Sequence, residues 1–397
     1  MELIGENKMR KITITIIAFL GLSSLVSIHT YASLSPDGPS LKSEAAIVIE
    51  ANSGEIIFEK NSDKKLYPAS LTKIATAIYA IEKGNLEDVV TVSRNARDAE
   101  GTTVFLEEGE EVPLIRLIQG LLINSGNDAG ISIGEHLGGN VEQFMVNLNT
   151  YLKSEVGVQN TNFVNPHGLF DAQHTTTAED LAKITQYATK NKVFREIFGT
   201  KTLDWEGETW DTTLITHHKI LKEEIPYSDV TGGKNGYVNQ SGFTLATTAQ
   251  RDDLSLIVVT LNSNNEDDEY KDTISLLDYG FDNYKTEFIE KGSTFNLNNE
   301  KYTNSDTIAY TTLKVDKIKK QVEKGGILNI VSQNGEVLST YKLNKNSPGK
   351  LINSSELKNS SNTEEVKVSI NQEKISLFVM IIITITLLIG GIRKYRF

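Results

Sequence analysis

The sequence predicts an α+β fold: one antiparallel sheet covered by helices, then a small all-β domain and a C-terminal transmembrane helix. Three observations carry this. Ala45–Glu50 and Glu55–Glu59 read as strands turned by Asn52-Ser53-Gly54, so the chain opens on a hairpin. Apolar runs at helical spacing fill the middle of the chain. Strand signals return at Thr244–Thr248 and Ser255–Thr260, joined by a polar turn over 250–253. Helices inserted between an early hairpin and later strands must cover the sheet those strands form.

Taken in order, Met9-Arg10-Lys11 opens a charged region, 12–28 is mostly apolar, and Thr30-Tyr31-Ala32 closes it with a small residue. That layout predicts a signal peptide over 1–32, with Met9 as an alternative start. A Pro/Ser/Gly-rich lead-in spans 33–44, and the helix-and-sheet domain spans 45–285. Its first helix begins after Tyr67-Pro68-Ala69 and runs to about Lys83, with Gly84-Asn85 as its stop. Pro113–Ile123 is a second apolar helix, halted by Asn124-Ser125-Gly126-Asn127. A third runs from Asp128 to His136, and Thr177-Ala178-Glu179-Asp180 caps another through Ala188. Short alternating stretches over 286–345, with a hairpin signal at Asn334-Gly335, predict the small β domain. Residues 346–374 read as a polar stalk. The apolar run 375–392 is about 18 residues, roughly 27 Å as a helix, and Arg393, Lys394 and Arg396 follow it. The positive-inside rule puts the tail 393–397 in the cytoplasm. The chain is expected to be exported and held at the extracellular face of the cell membrane by this single C-terminal pass.

The composition removes several function classes. With no cysteine in 397 residues there is no disulfide framework and no thiolate chemistry. A formal charge of −12 without a basic patch argues against a nucleic-acid partner. The six histidines are scattered, without a His-Glu-x-x-His pair, so neither a metal nor a cofactor is expected. His167 and His174 read as structural loop residues.

Ser70 and Lys73 stand three residues apart at the start of the first helix, which puts hydroxyl and amine on one face. That is the minimum for a lysine-activated serine nucleophile. Ser-x-x-Lys begins five times in the chain, at Ser62, Ser70, Ser339, Ser347 and Ser355, and only Ser70 combines it with a helix start and an apolar face. Two further motifs follow in order. Ser125-Gly126-Asn127 lies in a short loop between apolar helices, able to aim two polar side chains at one spot. Lys234 lies on a strand edge in Thr231-Gly232-Gly233-Lys234-Asn235-Gly236-Tyr237, flanked by glycines that admit another backbone. Gly130-Ile131-Ser132-Ile133-Gly134 spells a nucleophile elbow, but inside a helical run, where small residues serve close packing.

In this order the motifs resemble the penicillin-binding protein and serine β-lactamase superfamily. The match is nearer to the low-molecular-weight D-alanyl-D-alanine carboxypeptidases. Leu66–Ile74, Leu122–Ala129, Asn165-Pro166-His167-Gly168-Leu169 and Thr175–Ala182 all look like that family, and the resemblance spans roughly Ala45 to Tyr284. It implies a β-lactamase/transpeptidase-like fold and a serine DD-carboxypeptidase that trims the terminal D-alanine from peptidoglycan pentapeptide stems, with β-lactams as covalent inhibitors. The implied nucleophile is Ser70, with Lys73 as general base and Ser125 as proton relay bridging the two lysines. Asn127, Lys234, Asn235 and Gly236 would bind substrate, with the Asn127 amide on the peptide backbone and Lys234 on the terminal carboxylate. The oxyanion would sit between the backbone N–H groups of Ser70 and Tyr237. A class A β-lactamase would add Glu-x-x-Leu-Asn for deacylation, and no such string occurs.

One departure stands out. The family's usual Lys-Thr-Gly is here Lys234-Asn235-Gly236, which replaces a carboxylate-holding hydroxyl by a longer, differently aimed amide. The alternative reading is therefore a weakly active or inactive relative that binds cell-wall peptides or senses β-lactams.

Overall fold

The computed structural model describes residues 36–346; the signal peptide, stalk, transmembrane helix and cytoplasmic tail expected from the sequence lie outside the described residues. Among the described residues no helix is long and apolar enough to cross a membrane.

The central sheet uses β1 (Ala45–Glu50), β2 (Ile56–Lys60), β7 (Val230–Val238), β8 (Gly242–Arg251) and β9 (Leu254–Ser263). Their order is β2-β1-β9-β8-β7, with every neighbouring pair antiparallel. Two short strand pairs stand apart from it, besides the strands after residue 283: β3 (Val89–Thr91) with β4 (Glu111–Pro113), and β5 (Thr202–Glu206) with β6 (Asp211–Ile215). The helices are α1 (Thr72–Lys83), α2 (Arg94–Arg97), α3 (Leu114–Ile123), α4 (Asn127–Gly138), α5 (Val141–Tyr151), α6 (Ala178–Thr189), α7 (Lys192–Phe198) and α8 (Glu266–Asn283).

All of β1 is buried because both faces of the sheet are covered. Ala45, Ile47 and Ile49 face one way, into a core shared with Ile74 and Ile78 of α1, Leu117 and Leu121 of α3 and Leu181 of α6. Ala46 and Val48 face the other way, onto Leu276, Leu277 and Phe281 of α8. α1 is buried on all sides from Thr72 to Ala80, and its alanines at 75, 77 and 80 let neighbouring helices approach closely. Truncating Ile74 to alanine there would cost about 2–5 kcal/mol.

The α+β layout with an antiparallel sheet is as the sequence predicts, and β8 and β9 run longer than their strand signals. The sequence reading omits α8, which covers the back of the sheet at β1, β8 and β9. Its buried apolar side chains are Tyr270, Leu276, Leu277 and Phe281, set among acidic and other polar residues. Asn265 caps the helix by accepting from Asp267 N at 2.8 Å, and four acidic residues in the first turn complement its dipole.

From Tyr284 to Asn346 the regular elements are all strands: β10 (Tyr284–Ile289), β11 (Thr294–Leu297), β12 (Glu300–Thr303), β13 (Ile308–Leu313), β14 (Lys319–Glu323), β15 (Ile327–Val331), β16 (Val337–Lys342) and β17 (Asn344–Asn346). They surround their own core of Ile289, Tyr302, Tyr310, Leu328, Ile330 and Leu343. Ser53 in the β1–β2 turn hydrogen-bonds Thr311 of β13 at 2.8 Å, which ties these strands to the sheet.

Candidate active site

Ser70 lies in a 3-10 turn, Ala69–Leu71, that runs into α1, one step before the α-helical turn the sequence reading assigned to it. The turn starts from a strained residue: Ala69 has φ +46°, a left-handed conformation unusual for a residue with a side chain. Its surroundings hold it there. Thr72 Oγ1 donates to Ala69 O at 2.9 Å. His174 is buried and its Nδ1 accepts from Val164 N at 3.0 Å, so the ring proton is on Nε2, which donates to Thr72 Oγ1 at 2.8 Å. Burial pushes the His174 pKa down to about 4, which keeps the ring in that neutral form. Thr244 Oγ1 of β8 reaches Pro68 O at 3.1 Å from the other side. Two glycines make the space. A Cβ on Gly168 would stand 1.8 Å from Ala69 O, and one on Gly236 would stand 2.6 Å from Ser70 N.

Lys73 follows on α1 with no solvent exposure. Its Nζ lies 3.1 Å from Ser70 Oγ, 2.8 Å from Asn127 Oδ1 and 2.6 Å from His167 O. Burial first and the charge of Lys234 second hold its pKa well below the usual lysine range, against a smaller opposing pull from Asp128. A neutral amine at that distance can take the serine proton as Oγ attacks.

Ser125 and Asn127 come from the α3–α4 junction. Ser125 adopts φ +65°, which turns its hydroxyl inward to donate to Ser70 Oγ at 3.2 Å. The expected bridge to both lysines is not formed: Ser125 Oγ has no hydrogen bond to Lys73 or Lys234 among the described residues, and Lys234 Nζ donates instead to Asn235 O at 2.8 Å. Asn127 also differs from its expected use. Its Oδ1 accepts from Lys73, its Nδ2 donates to Glu100 O at 2.6 Å, and it is 4 % exposed, so both ends of the amide are engaged within the protein.

Lys234 is buried in β7, and desolvation lowers its pKa to about 7. The Asn235 side chain is half-buried and makes no hydrogen bond among the described residues. Gly236 pairs with Thr244, which puts the outer edge of the sheet directly against the Ser70 turn. Because β7 is the last strand of the sheet, alternate N–H groups on its outer side have no strand partner. The Tyr237 ring, 52 % exposed, packs on Phe243 with centroids 4.5 Å apart.

Several site residues were not singled out by sequence reasoning. Thr244 and the Thr72–His174 pair lie within quoted or neighbouring stretches, but nothing in their spacing shows that they brace the nucleophile. His217 is solvent-exposed along its chain, yet desolvation first and then the charges of Lys234, Lys222 and Lys73 push its pKa down to about 4. The elbow-like Ser132 is spent inside α4, donating to Asp128 O at 3.0 Å. Among the described residues, no group of three or more His, Asp or Glu is set to hold a metal ion.

Comparison with known proteins bears on the family and the fold. Residues 32–265 match the family described as D-alanyl-D-alanine carboxypeptidase. The D-alanyl-D-alanine carboxypeptidase DacF of Bacillus subtilis (strain 168) is 29% identical over 323 residues, covering 77% of this chain and 82% of that protein. DacA of Haemophilus influenzae, named as the same activity, is 30% identical over 299 residues, covering 68% of this chain and 71% of that protein. Among solved structures, penicillin binding protein 5 from Haemophilus influenzae superposes with TM-score 0.70 at 24% identity, over 78% of this chain and 98% of that one. Penicillin binding protein 6B from Escherichia coli gives TM-score 0.66 at 23% identity, over 78% and 97%. At those identities the two structures speak for the fold.

Proposed function

The chain belongs to the D-alanyl-D-alanine carboxypeptidase family, and we propose that it removes the terminal D-alanine from peptidoglycan pentapeptide stems through an acyl-enzyme on Ser70. The observation that carries this reading is the buried Lys73 amine 3.1 Å from the Ser70 hydroxyl. Lys73 accepts the Ser70 proton as Oγ adds to the carbonyl of the penultimate D-alanine. The oxyanion is stabilised by the backbone N–H groups of Ser70 and Tyr237. As the peptide bond breaks, Ser125, hydrogen-bonded to Ser70 Oγ in the free protein, gives its proton to the leaving nitrogen and takes in its place the one Lys73 accepted, so Lys73 is neutral again and free D-alanine departs. Water then adds to the ester, Ser70 recovers its proton, and the shortened stem leaves.

Lys234 supplies the positive charge for the substrate's terminal carboxylate, with Asn235 and Gly236 beside it. Asn127 takes part by fixing Lys73. A β-lactam presents the same carbonyl and carboxylate, so it acylates Ser70 and stays. The enzyme works outside the cell, delivered by its signal peptide and held at the membrane by its C-terminal helix.

Labelling by a fluorescent penicillin tests the nucleophile: one covalent adduct is expected on the native protein and none on Ser70→Ala. Label retained in that variant overturns the assignment. Release of D-alanine from a diacyl-D-Ala-D-Ala peptide tests the reaction, and its absence alongside intact peptide binding would make the protein a binding module.

A further inference from the structure

Gly236 brings β7 against Ser70 near one end of the strand, and Gly232 lies four residues earlier, about 13 Å back along it. The register places Gly232 and Thr248 on the sheet face that also holds Gly236 and Thr244, so the far end of β7 shares a face with the catalytic groups at a distance from them. Phe198, the last residue of α7, fills the space over Gly232, where a Cβ would stand 2.6 Å from its ring. Beside Phe198 opens a cavity of about 460 Å³, enclosed by the ends of β8 and β9, the α6–α7 corner and Phe288 of β10. None of the groups assigned to hydrolysis lines it.

Phe288 shares a face of β10 with Thr286, whose Oγ1 lies 2.9 Å from Thr311 Oγ1, which in turn reaches Ser53 at 2.8 Å. That face meets the catalytic domain, yet the Phe288 ring is 38 % exposed because the junction leaves the cavity open against it. A close-packed junction leaves no such space, and cavities of this size at domain boundaries are where small ligands bind. Charges of both signs line it without partners. Lys190, just after α6, makes no ion pair or side-chain hydrogen bond among the described residues. Arg195 spends one nitrogen on Thr189 O and Lys190 O, at 2.6 and 3.0 Å, and meets no carboxylate among the described residues. Asp253, in the β8–β9 turn, is likewise unpaired there, while the nearby Arg251 is held by Asp229 at 2.7 Å. Leu256, Ile257, Phe198 and Phe288 supply apolar wall. A ligand that matches this set carries a carboxylate for the two cations, an ammonium for Asp253 and methyl groups between them, which describes a short peptide with free ends. Inorganic phosphate would leave Asp253 and the apolar wall unused, and a neutral sugar would leave the charges unmatched.

We propose that this cavity is a second binding site, for a short zwitterionic peptide whose carboxylate lies on Lys190 and Arg195 and whose ammonium lies on Asp253. The site stands apart from the carboxypeptidase reading, since it uses neither Ser70 nor Lys73. The probe is tri-L-alanine, which has no D-alanine to release, titrated calorimetrically into the full chain. Binding with a Kd below about 1 mM is expected. The C-terminal amide of the probe should bind about tenfold more weakly, and Lys190→Glu should weaken the free acid by a similar factor, the size of one hydrogen bond to a charged group. Asp253→Asn should weaken the free-ended peptide and leave the affinity of its N-acetyl form unchanged. Lys190 and Asp253 are both exposed, so these variants keep the fold. Phe288→Ala should weaken the acid and the amide alike. Absence of binding at millimolar peptide overturns the site, and so does an affinity untouched by Lys190→Glu and Asp253→Asn. Inorganic phosphate that displaces the probe at equal concentration would make the cavity an anion site only and overturn the peptide assignment. Failure to release D-alanine from a diacyl-D-Ala-D-Ala peptide would sink the carboxypeptidase reading by itself, with the affinities above still deciding the cavity.

Discussion

Asn127 Oδ1 lies 2.8 Å from Lys73 Nζ, and Glu100 O fixes the other end of the same amide at 2.6 Å. The base is thus held by a partner that carries no charge, which leaves burial and Lys234 to keep its pKa low. Asn127→Asp keeps the shape and adds a carboxylate, which favours the ammonium form and raises the pKa. The acylation rate of Ser70 by a fluorescent penicillin should fall at least about tenfold at neutral pH, with its rising pH limb displaced upward. A limb that stays in place would show that Asn127 does not tune the base.

Lys234 gives two pH predictions of known sign. Its pKa of about 7 means that its positive charge fades as pH rises past neutrality, so KM for carboxylate-ended peptides should climb there while kcat changes less. For stability, the folded value lies below the unfolded one, so between about pH 7 and the ordinary lysine pKa the unfolded chain binds more protons and stability rises with pH. The Lys234→Met variant should lose most of that slope in denaturant melts taken at several pH values.

Asn235→Thr should restore a hydroxyl where a substrate carboxylate arrives. A gain of roughly tenfold in kcat/KM is expected, the size of one hydrogen bond to a charged group. Steady-state release of D-alanine measures it. No gain would show that the half-buried Asn235 amide already serves the carboxylate.

Gly168 has φ +93° and almost touches Ala69 O, so Gly168→Ala meets both a forbidden backbone and a collision. The loss should exceed about 3 kcal/mol in thermal or urea unfolding. His174→Ala removes an acceptor for Val164 N and a donor to Thr72, at about 1–3 kcal/mol. Beyond stability, it should slow acylation by freeing the Ala69 turn.

How much of this was legible in the sequence follows the range of each signal. The Ser70–Lys73 spacing, the apolar helices and the turn glycines are local, and periodicity exposes them directly. α8 escaped because its buried face mixes Tyr270, Leu276, Leu277 and Phe281 with buried Glu269, Asp272 and Thr273, which breaks the apolar periodicity. The Asn127–Lys73 and Ser125–Ser70 contacts depend on how α1 and the α3–α4 loop meet, so the sequence marked both residues as polar groups of the site but assigned Ser125 to the two lysines and the Asn127 amide to the peptide backbone. The Thr72–His174 brace spans a still longer gap, and neither residue type by itself distinguishes a brace from an ordinary buried pair.

The strand order β2-β1-β9-β8-β7 sets the first strand beside one from the second half of the chain, and the lysine strand outside both. During synthesis the Ser70 turn therefore emerges long before the elements that press on it, Thr244 from β8 and Gly236 from β7. Non-local pairing of this kind closes late and slowly. Reactivity toward a penicillin is then a clock for folding: a chain halted before β9 is complete has its serine and lysine in sequence but no enzyme, and the first covalent label marks the moment the sheet shuts.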